Sequence, residues 1–339
     1  MKINGIQFLL LVVTCASLLI QPALADHPSV GLTTGNAAPI ITSSANTLKK
    51  NQWTISLQAE LDDNNAISDA RLIRNAEERE EQDVHSISTV EQYTLNLARG
   101  ITDKLTLALQ IPYVSRNNIL EAEIEEGETE AEVIDLGTAE GFGDVRLFGA
   151  YQFFDDTAKN QSASVLFGIK IPTGQTNEEA PEEKLDAELQ PGSGSWDPLF
   201  GLAYSKKWTA LSLDSNINYQ LVTEGTQDTD LGDFVGVNLA LSHRLGSLNK
   251  SDHSLHDHSH LNWDLILEAN SEWRDREDVD GETNVDSGGL LVFLSPGVRV
   301  TTNNGFSAAI SAGIPVITDL NGLQSTPQFR VLANASIAF

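Results

Sequence analysis

Four histidines, His253, His256, His258 and His260, fall within one short stretch of a chain that has 7 histidines in all. Imidazoles two and three positions apart, with Asp252 and Asp257 among them, form a donor set for a borderline cation such as zinc, copper or nickel, and a flexible turn would bind it with modest affinity. The other reading is a solvated polar turn. A second group of residues carries charge at alternate positions of otherwise apolar stretches: Glu60, Asp144, Arg146, Lys170, Asp214, Arg244, Asp264, Glu268, Glu272, Arg299 and Arg330. Opposite charges across a water-filled passage make a constriction that aligns a polar solute. The same charges, paired, close the passage as a polar core, and both readings stand. Phe148, Leu166 and Phe293 share this parity and suit either an apolar step for an aromatic solute or simple space filling.

Catalysis finds little support in the residue pattern. There is no G-x-S-x-G nucleophile motif. The single cysteine, Cys15, lies in an N-terminal apolar run, which removes thiolate chemistry and Cys-ligated metal from the mature chain. A lipase or protease at the rim of a membrane barrel needs a histidine beside its nucleophile or its acids, and the outer side offers only His85, in a loop full of glutamate.

The elements that position these residues show most plainly at the end of the chain. In Gln328 to Phe339, alternate residues place Phe329, Val331, Ala333, Ala335, Ile337 and Phe339 on one face and Arg330, Leu332, Asn334, Ser336 and Ala338 on the other. This is a period-two strand with an apolar face and a mostly polar one. Ending on an aromatic residue, it has the form of the closing strand of an outer-membrane barrel, with lipid outside, a wet lumen inside and the last ring in the interfacial girdle. It also has the form of the C-terminal signal read by the outer-membrane assembly machinery.

At the other end, Lys2, the apolar run from Phe8 to Ile20, and Ala23-Leu24-Ala25 make a secretory signal peptide over residues 1–25, cut before Asp26. Residues 26–50, rich in Gly, Ser, Thr, Asn and Pro, read as a periplasmic lead-in, partly tucked into the barrel, and residues 51–339 as the barrel itself. No later apolar run reaches the roughly 20 residues of a membrane-spanning helix. With a formal net charge of -27 the chain is not a nucleic-acid binder and repels anions at long range.

From Gln52 onward the same alternation recurs. Strands are expected over residues 52–61, 93–97, 105–113, 145–153, 165–171, 199–206, 209–222, 234–245, 263–273, 290–300, 306–316 and 328–339, about twelve in all. Long and short connections alternate between them, which sorts the long acidic ones to the outside and the short ones, with both termini, to the periplasm. The stretch from Gly246 to His260 is long where a short turn is due. It places the histidine cluster, with His243 and His27, on the periplasmic side. Trp263 and Trp273 share the outward parity, and ten residues at about 3.3 Å, tilted by about 45°, rise roughly 23 Å, close to the apolar band of about 25 Å between aromatic girdles. The acidic stretch Leu120 to Glu140 reads as a solvated outer loop sharing divalent cations with lipopolysaccharide, or as a cation-attracting funnel.

Several stretches resemble the outer-membrane barrel family of the meta-pathway of phenol degradation: D-H-P-S-V-G at Asp26 to Gly31, A-P-I-I-T-S-S-A-N-T-L at Ala38 to Leu48, I-T-D-K-L-T-L-A-L-Q-I-P-Y-V at Ile101 to Val114, I-P-T-G at Ile171 to Gly174, Q-P-G-S-G-S-W-D-P at Gln190 to Pro198 and L-S-P-G at Leu294 to Gly297. These are turn and strand-end motifs in which Gly and Pro set the backbone. The resemblance covers nearly the whole mature chain. It implies an outer-membrane location and passage of hydrophobic or aromatic solutes, and it carries no binding residues.

The expectation is therefore an all-β, transmembrane, antiparallel up-and-down barrel of about twelve strands, without cofactor, acting as a channel or transporter for small solutes. The competing class is a structural or surface-interaction barrel with a plugged lumen. Expected partners are outer-membrane lipid and lipopolysaccharide, the assembly machinery and a small-molecule solute.

Overall fold

A computed structural model describes residues 39–78, 84–124, 130–180, 184–247 and 261–339. The chain runs β1 (Trp53–Asn65), helix α1 (Asp69–Glu78), β2 (Ser86–Thr102), β3 (Leu105–Glu123), β4 (Glu132–Phe142), β5 (Val145–Asp156), β6 (Gln161–Ile171), β7 (Asp197–Lys207) and β8 (Leu211–Gln220). It continues with β9 (Thr229–Asp230), β10 (Phe234–Ser247), β11 (Leu261–Arg274), β12 (Asp278–Val279), β13 (Glu282–Thr283), β14 (Gly289–Thr302), β15 (Phe306–Leu320) and β16 (Thr326–Ala338). Twelve of these, all but β4, β9, β12 and β13, pair antiparallel with their neighbours in chain order, and β1 pairs with both β2 and β16, so the sheet closes on itself. The chain's two ends meet at this seam. Trp53 N donates to Phe339 O at 2.8 Å, and Phe339 N donates to Trp53 O at 3.0 Å.

Period-two alternation makes the wall two-faced. Along β11, Asp264, Ile266, Glu268 and Asn270 are buried toward the lumen, while Leu261, Leu265 and Trp273 are exposed on the outside. The same holds around the ring: Ile55, Leu57, Leu107, Leu147, Phe167, Leu202, Ile217, Leu239, Ile310 and Ile337 are large apolar side chains facing outward. An exposed apolar surface of this extent suits lipid and is incompatible with water. Trp53, Phe306 and Phe339 rim the periplasmic end, and Tyr93, Tyr219 and Trp273 stand near the other. The fold is that of an outer-membrane barrel of twelve strands.

Several strands run longer than the sequence reading, and two of the differences bear on the lumen and its mouth. The stretch Leu120 to Glu140 is not simply a solvated loop: β3 runs on to Glu123 and pairs with β4 as a hairpin standing above the membrane. Its inner face is apolar, with Ile119, Leu136 and Ala139 packed on Leu185 and Leu189, so the acidic residues are concentrated on the other face, with Glu121 the buried exception. β4 and β5 are two halves of one strand, broken at Gly143 and Asp144, where Gly143 N donates to Pro112 O at 3.0 Å. β1 likewise extends to Asn65, which brings Asp62 into the lumen. Helix α1 folds onto the hairpin through Leu72, which packs with the flanking Ile67 and Val84 against Leu120, Ala122 and Val133.

Candidate functional site: the occupied lumen

The lumen's periplasmic half holds a piece of the same chain. Residues 40–45 are buried although they belong to no strand, and the segment climbs from the rim at Lys50 to mid-barrel. Close approach to the wall needs glycine at two places. A Cβ on Gly100 would lie 2.0 Å from Lys49 O, and one on Gly297 would lie 2.7 Å from Ile40 Cδ1. Around the lower part, Ala45 and Leu48 pack with Ala98, Ala108, Phe148, Ala150, Leu166 and Ala203; around the upper, Ile40 and Ile41 pack with Ile266 and Leu332. Phe148 and Leu166 therefore fill space against this segment.

A segment without secondary structure must find other acceptors for its backbone amides. The wall supplies them. The Glu268 carboxylate accepts from Ile40 N at 3.2 Å, from Ile41 N at 3.1 Å and from Thr42 N at 3.0 Å, so that three successive amides converge on one anion. Asn216 Oδ1 accepts from Ser43 N at 2.7 Å, Ser205 Oγ from Ala45 N at 2.8 Å, and Thr106 Oγ1 from Leu48 N at 2.8 Å. Asp214 holds Ser205 in place, accepting from its Oγ at 2.6 Å. Below the segment a periplasmic vestibule of about 490 Å³ is lined by Asn46, Asp214, Arg244, Asp264 and Arg299. There both arginines bind one carboxylate: Arg299 Nη2 and Arg244 Nη2 reach Asp264 Oδ2 at 3.2 and 3.1 Å.

The extracellular half is closed by ion pairs within the wall and between the wall and its loops. Arg330 lies between Asp62 Oδ1 at 2.6 Å, Glu60 Oε1 at 3.1 Å and Glu272 Oε1 at 2.6 Å, with its guanidinium 4.1 Å from the Phe293 ring centroid. Lys170 donates to Asp197 Oδ2 at 2.7 Å and Ser195 Oγ at 3.0 Å, contacts Ser193 Oγ, and lies 3.4 Å from Asp144 Oδ2. Lys170 thereby ties β6 to β7 and to the loop that carries Ser193 and Ser195. Arg146 faces a separate small cavity in this half.

Above the lumen, His85 is buried among three carboxylates that the chain brings together from afar. Its Nδ1 lies 2.8 Å from Glu188 Oε1, and its Nε2 lies 3.3 Å from Glu121 Oε2 and 3.6 Å from Asp186 Oδ2. Burial pulls the imidazole pKa down, but hydrogen bonds to Glu121 and Glu188 outweigh it and hold the ring well above its ordinary value. His85 thus clamps the β3–β4 hairpin to the β6–β7 loop as a cation. The sequence showed that glutamates surround it in the chain, but these partners come from elsewhere, and only the fold names them.

Of the charged residues singled out by parity, the structure brings Glu60, Glu272 and Arg330 together, Asp144 with Lys170, and Asp264 with Arg244 and Arg299; it sets Glu268 and Asp214 against the N-terminal segment. Asp62, Asp197 and His85 were missed as site residues. The four histidines His253, His256, His258 and His260 lie outside the described residues, as do residues 1–38.

The family model described as "Putative MetA-pathway of phenol degradation" matches residues 100–316. No curated protein matches the chain. Among solved structures, the COG4313 outer membrane channel from Pseudomonas putida F1 is similar, with 14% identity, a TM-score of 0.57, and coverage of 87% of this chain and 98% of that one. The Pseudomonas putida toluene transporter TodX aligns at 10% identity with a TM-score of 0.43 over 92% of this chain and 99% of its own. The CymD monoaromatic hydrocarbon channel aligns at 8% identity with a TM-score of 0.42 over 86% and 88%.

Proposed function

Since this chain belongs to the family of the MetA-pathway of phenol degradation, we propose that it is a non-catalytic outer-membrane channel for small hydrophobic or aromatic solutes, with residues 39–50 as a displaceable plug. One observation carries this reading. The periplasmic half of the lumen is blocked by a segment joined to the wall at only one end of its described length, at β1, and held otherwise by hydrogen bonds and modest apolar packing. A barrel built only as a scaffold would be expected to fill its lumen from its own wall, as the extracellular half does. The family description and the similar channels support an aromatic solute, since TodX is a toluene transporter and CymD a monoaromatic hydrocarbon channel.

The occlusion itself favours a second reading, a closed structural barrel. Planar-bilayer conductance, together with liposome swelling in phenol, separates the two when the full chain is compared with a variant lacking residues 39–48. The channel reading expects small, intermittent conductance from the full chain and a larger, steadier one from the variant. Closed barrels in both, with folding verified by heat-modifiable mobility, would leave only the scaffold.

A further inference from the structure

Arg146, Arg116 and Arg274 line one cavity of about 90 Å³ in the extracellular half of the lumen, and the same cavity has apolar walls from Val114, Val222 and Leu231. Arginine keeps its proton at any accessible pH, so a guanidinium withdrawn from water must meet an acceptor, and preferably an anion. Backbone carbonyls engage two of the three. Arg116 Nη1 donates to Leu189 O and Gln190 O at 3.3 and 3.2 Å, and Arg274 Nη1 to Leu231 O and Gly232 O at 3.3 and 3.4 Å. Among the described residues, Arg146 forms no ion pair, and its buried Nε meets no acceptor.

Carboxylates are near but taken. Asp144, Asp197 and Glu60 act on Arg146 from a distance without reaching it. Asp144 accepts from Gly174 N at 2.9 Å and from Ser193 N and Oγ at 2.8 and 2.7 Å. Asp197 accepts from Lys170 Nζ and from Gln220 Nε2, each at 2.7 Å, and from Thr223 N at 3.2 Å. Glu60 is bound to Arg330 at 3.1 Å, and Glu188, also on the cavity wall, to His85 at 2.8 Å. Each acid that could turn to Arg146 would break existing bonds to do so.

From this geometry we infer a subsite for a small organic carboxylate, its head on Arg146 and its apolar body along Val114, Val222 and Leu231. The inference rests on the channel reading and narrows its solute class to aromatic or short-chain acids. Size supports a head-group site: a cavity of about 150 Å³ accommodates benzene, so about 90 Å³ holds the carboxylate while the body extends along the lumen. A planar guanidinium fork fits two carboxylate oxygens at once, which a single spherical anion cannot match.

Binding is tested on the full chain in detergent by calorimetry and ligand-observed NMR, with benzoate and its uncharged counterpart benzyl alcohol as probes. The wild type should bind benzoate more tightly than benzyl alcohol. In Arg146→Gln benzoate binding should weaken about ten-fold or more, the loss of one charged hydrogen-bonding partner, with benzyl alcohol unchanged. Arg146→Lys should recover part of the loss. Equal binding of the two probes by the wild type overturns the subsite without recourse to any variant. So does unchanged benzoate affinity in an Arg146→Gln barrel that keeps its heat-modifiable mobility, or chloride displacing benzoate at equal concentration. Benzoate binding without passage in swelling assays would sink the channel reading and leave the subsite standing, whereas passage without binding does the reverse.

Discussion

In the periplasmic half of the lumen the wall meets a largely uncharged segment of the same chain, whereas in the extracellular half it meets itself and its loops, charge against charge. Glu268 faces three backbone amides below; Arg330 faces Glu60, Asp62 and Glu272 above. The difference lies in what each closure can release. Backbone amides leaving Glu268 can regain hydrogen bonds from entering water or solute, and the carboxylate that remains is rehydrated. Separating Arg330 from its acids would strand charges on β16, on its neighbour β1 and on β11, in the low-dielectric wall. In the proposed channel the lower closure is the one that moves and the upper the one that stays.

The sharpest way to break this comparison is Arg330→Met. It leaves three carboxylates without their cation, and loss of one partner of a buried ion pair costs about 3–5 kcal/mol. Urea unfolding in detergent micelles, followed by tryptophan fluorescence, should show a lowered midpoint. An unchanged midpoint would mean that the upper network contributes nothing to holding β1, β11 and β16 together.

Glu268→Ala should have a smaller effect on stability and a larger one on conduction. Hydrogen bonds to a charged acceptor contribute about 1.5–3 kcal/mol, so their removal should raise the fraction of open barrels by roughly ten- to hundred-fold where opening is displacement of the segment. Single-channel recording reads this directly. Open probability equal to the wild type would show that apolar packing by Ile40, Ile41, Ala45 and Leu48 holds the segment instead.

The smallest of the three effects concerns the loop clamp above both closures. The folded-state pKa of His85 is raised, so its contribution is fully present below the ordinary histidine value of about 6.5 and is lost as pH rises through the folded value. Corrected for the intrinsic rise of amide exchange with pH, protection should therefore fall around residues 184–190 and 115–123 in alkaline solution while the barrel strands stay protected. His85→Gln should abolish that pH dependence. A flat exchange profile in the wild type would show that the loop is held by Leu185 and Leu189 packing alone.

How much of this was legible in the sequence follows from the range of each interaction. Alternation of side chains is local, set by the pleat of a single strand, so Gln328 to Phe339 declares its lipid face and its lumen face without help. Twelve such stretches, with long and short connections in turn, determined the barrel and the inward parity of Arg330, Glu268 and Lys170. The acidic run after Leu120 misled because charge predicts solvent, while the apolar face of the β3–β4 hairpin is visible only once Leu185 and Leu189 are packed against it. Which side chains meet between strands and loops far apart in the chain is set by their register and packing, to which no local pattern responds. That Arg330 meets Asp62 and Glu272, that Glu121 and Glu188 converge on His85, and that Ile40, Ile41 and Thr42 turn their amides to Glu268, 226 to 228 residues away, was decided by tertiary structure alone.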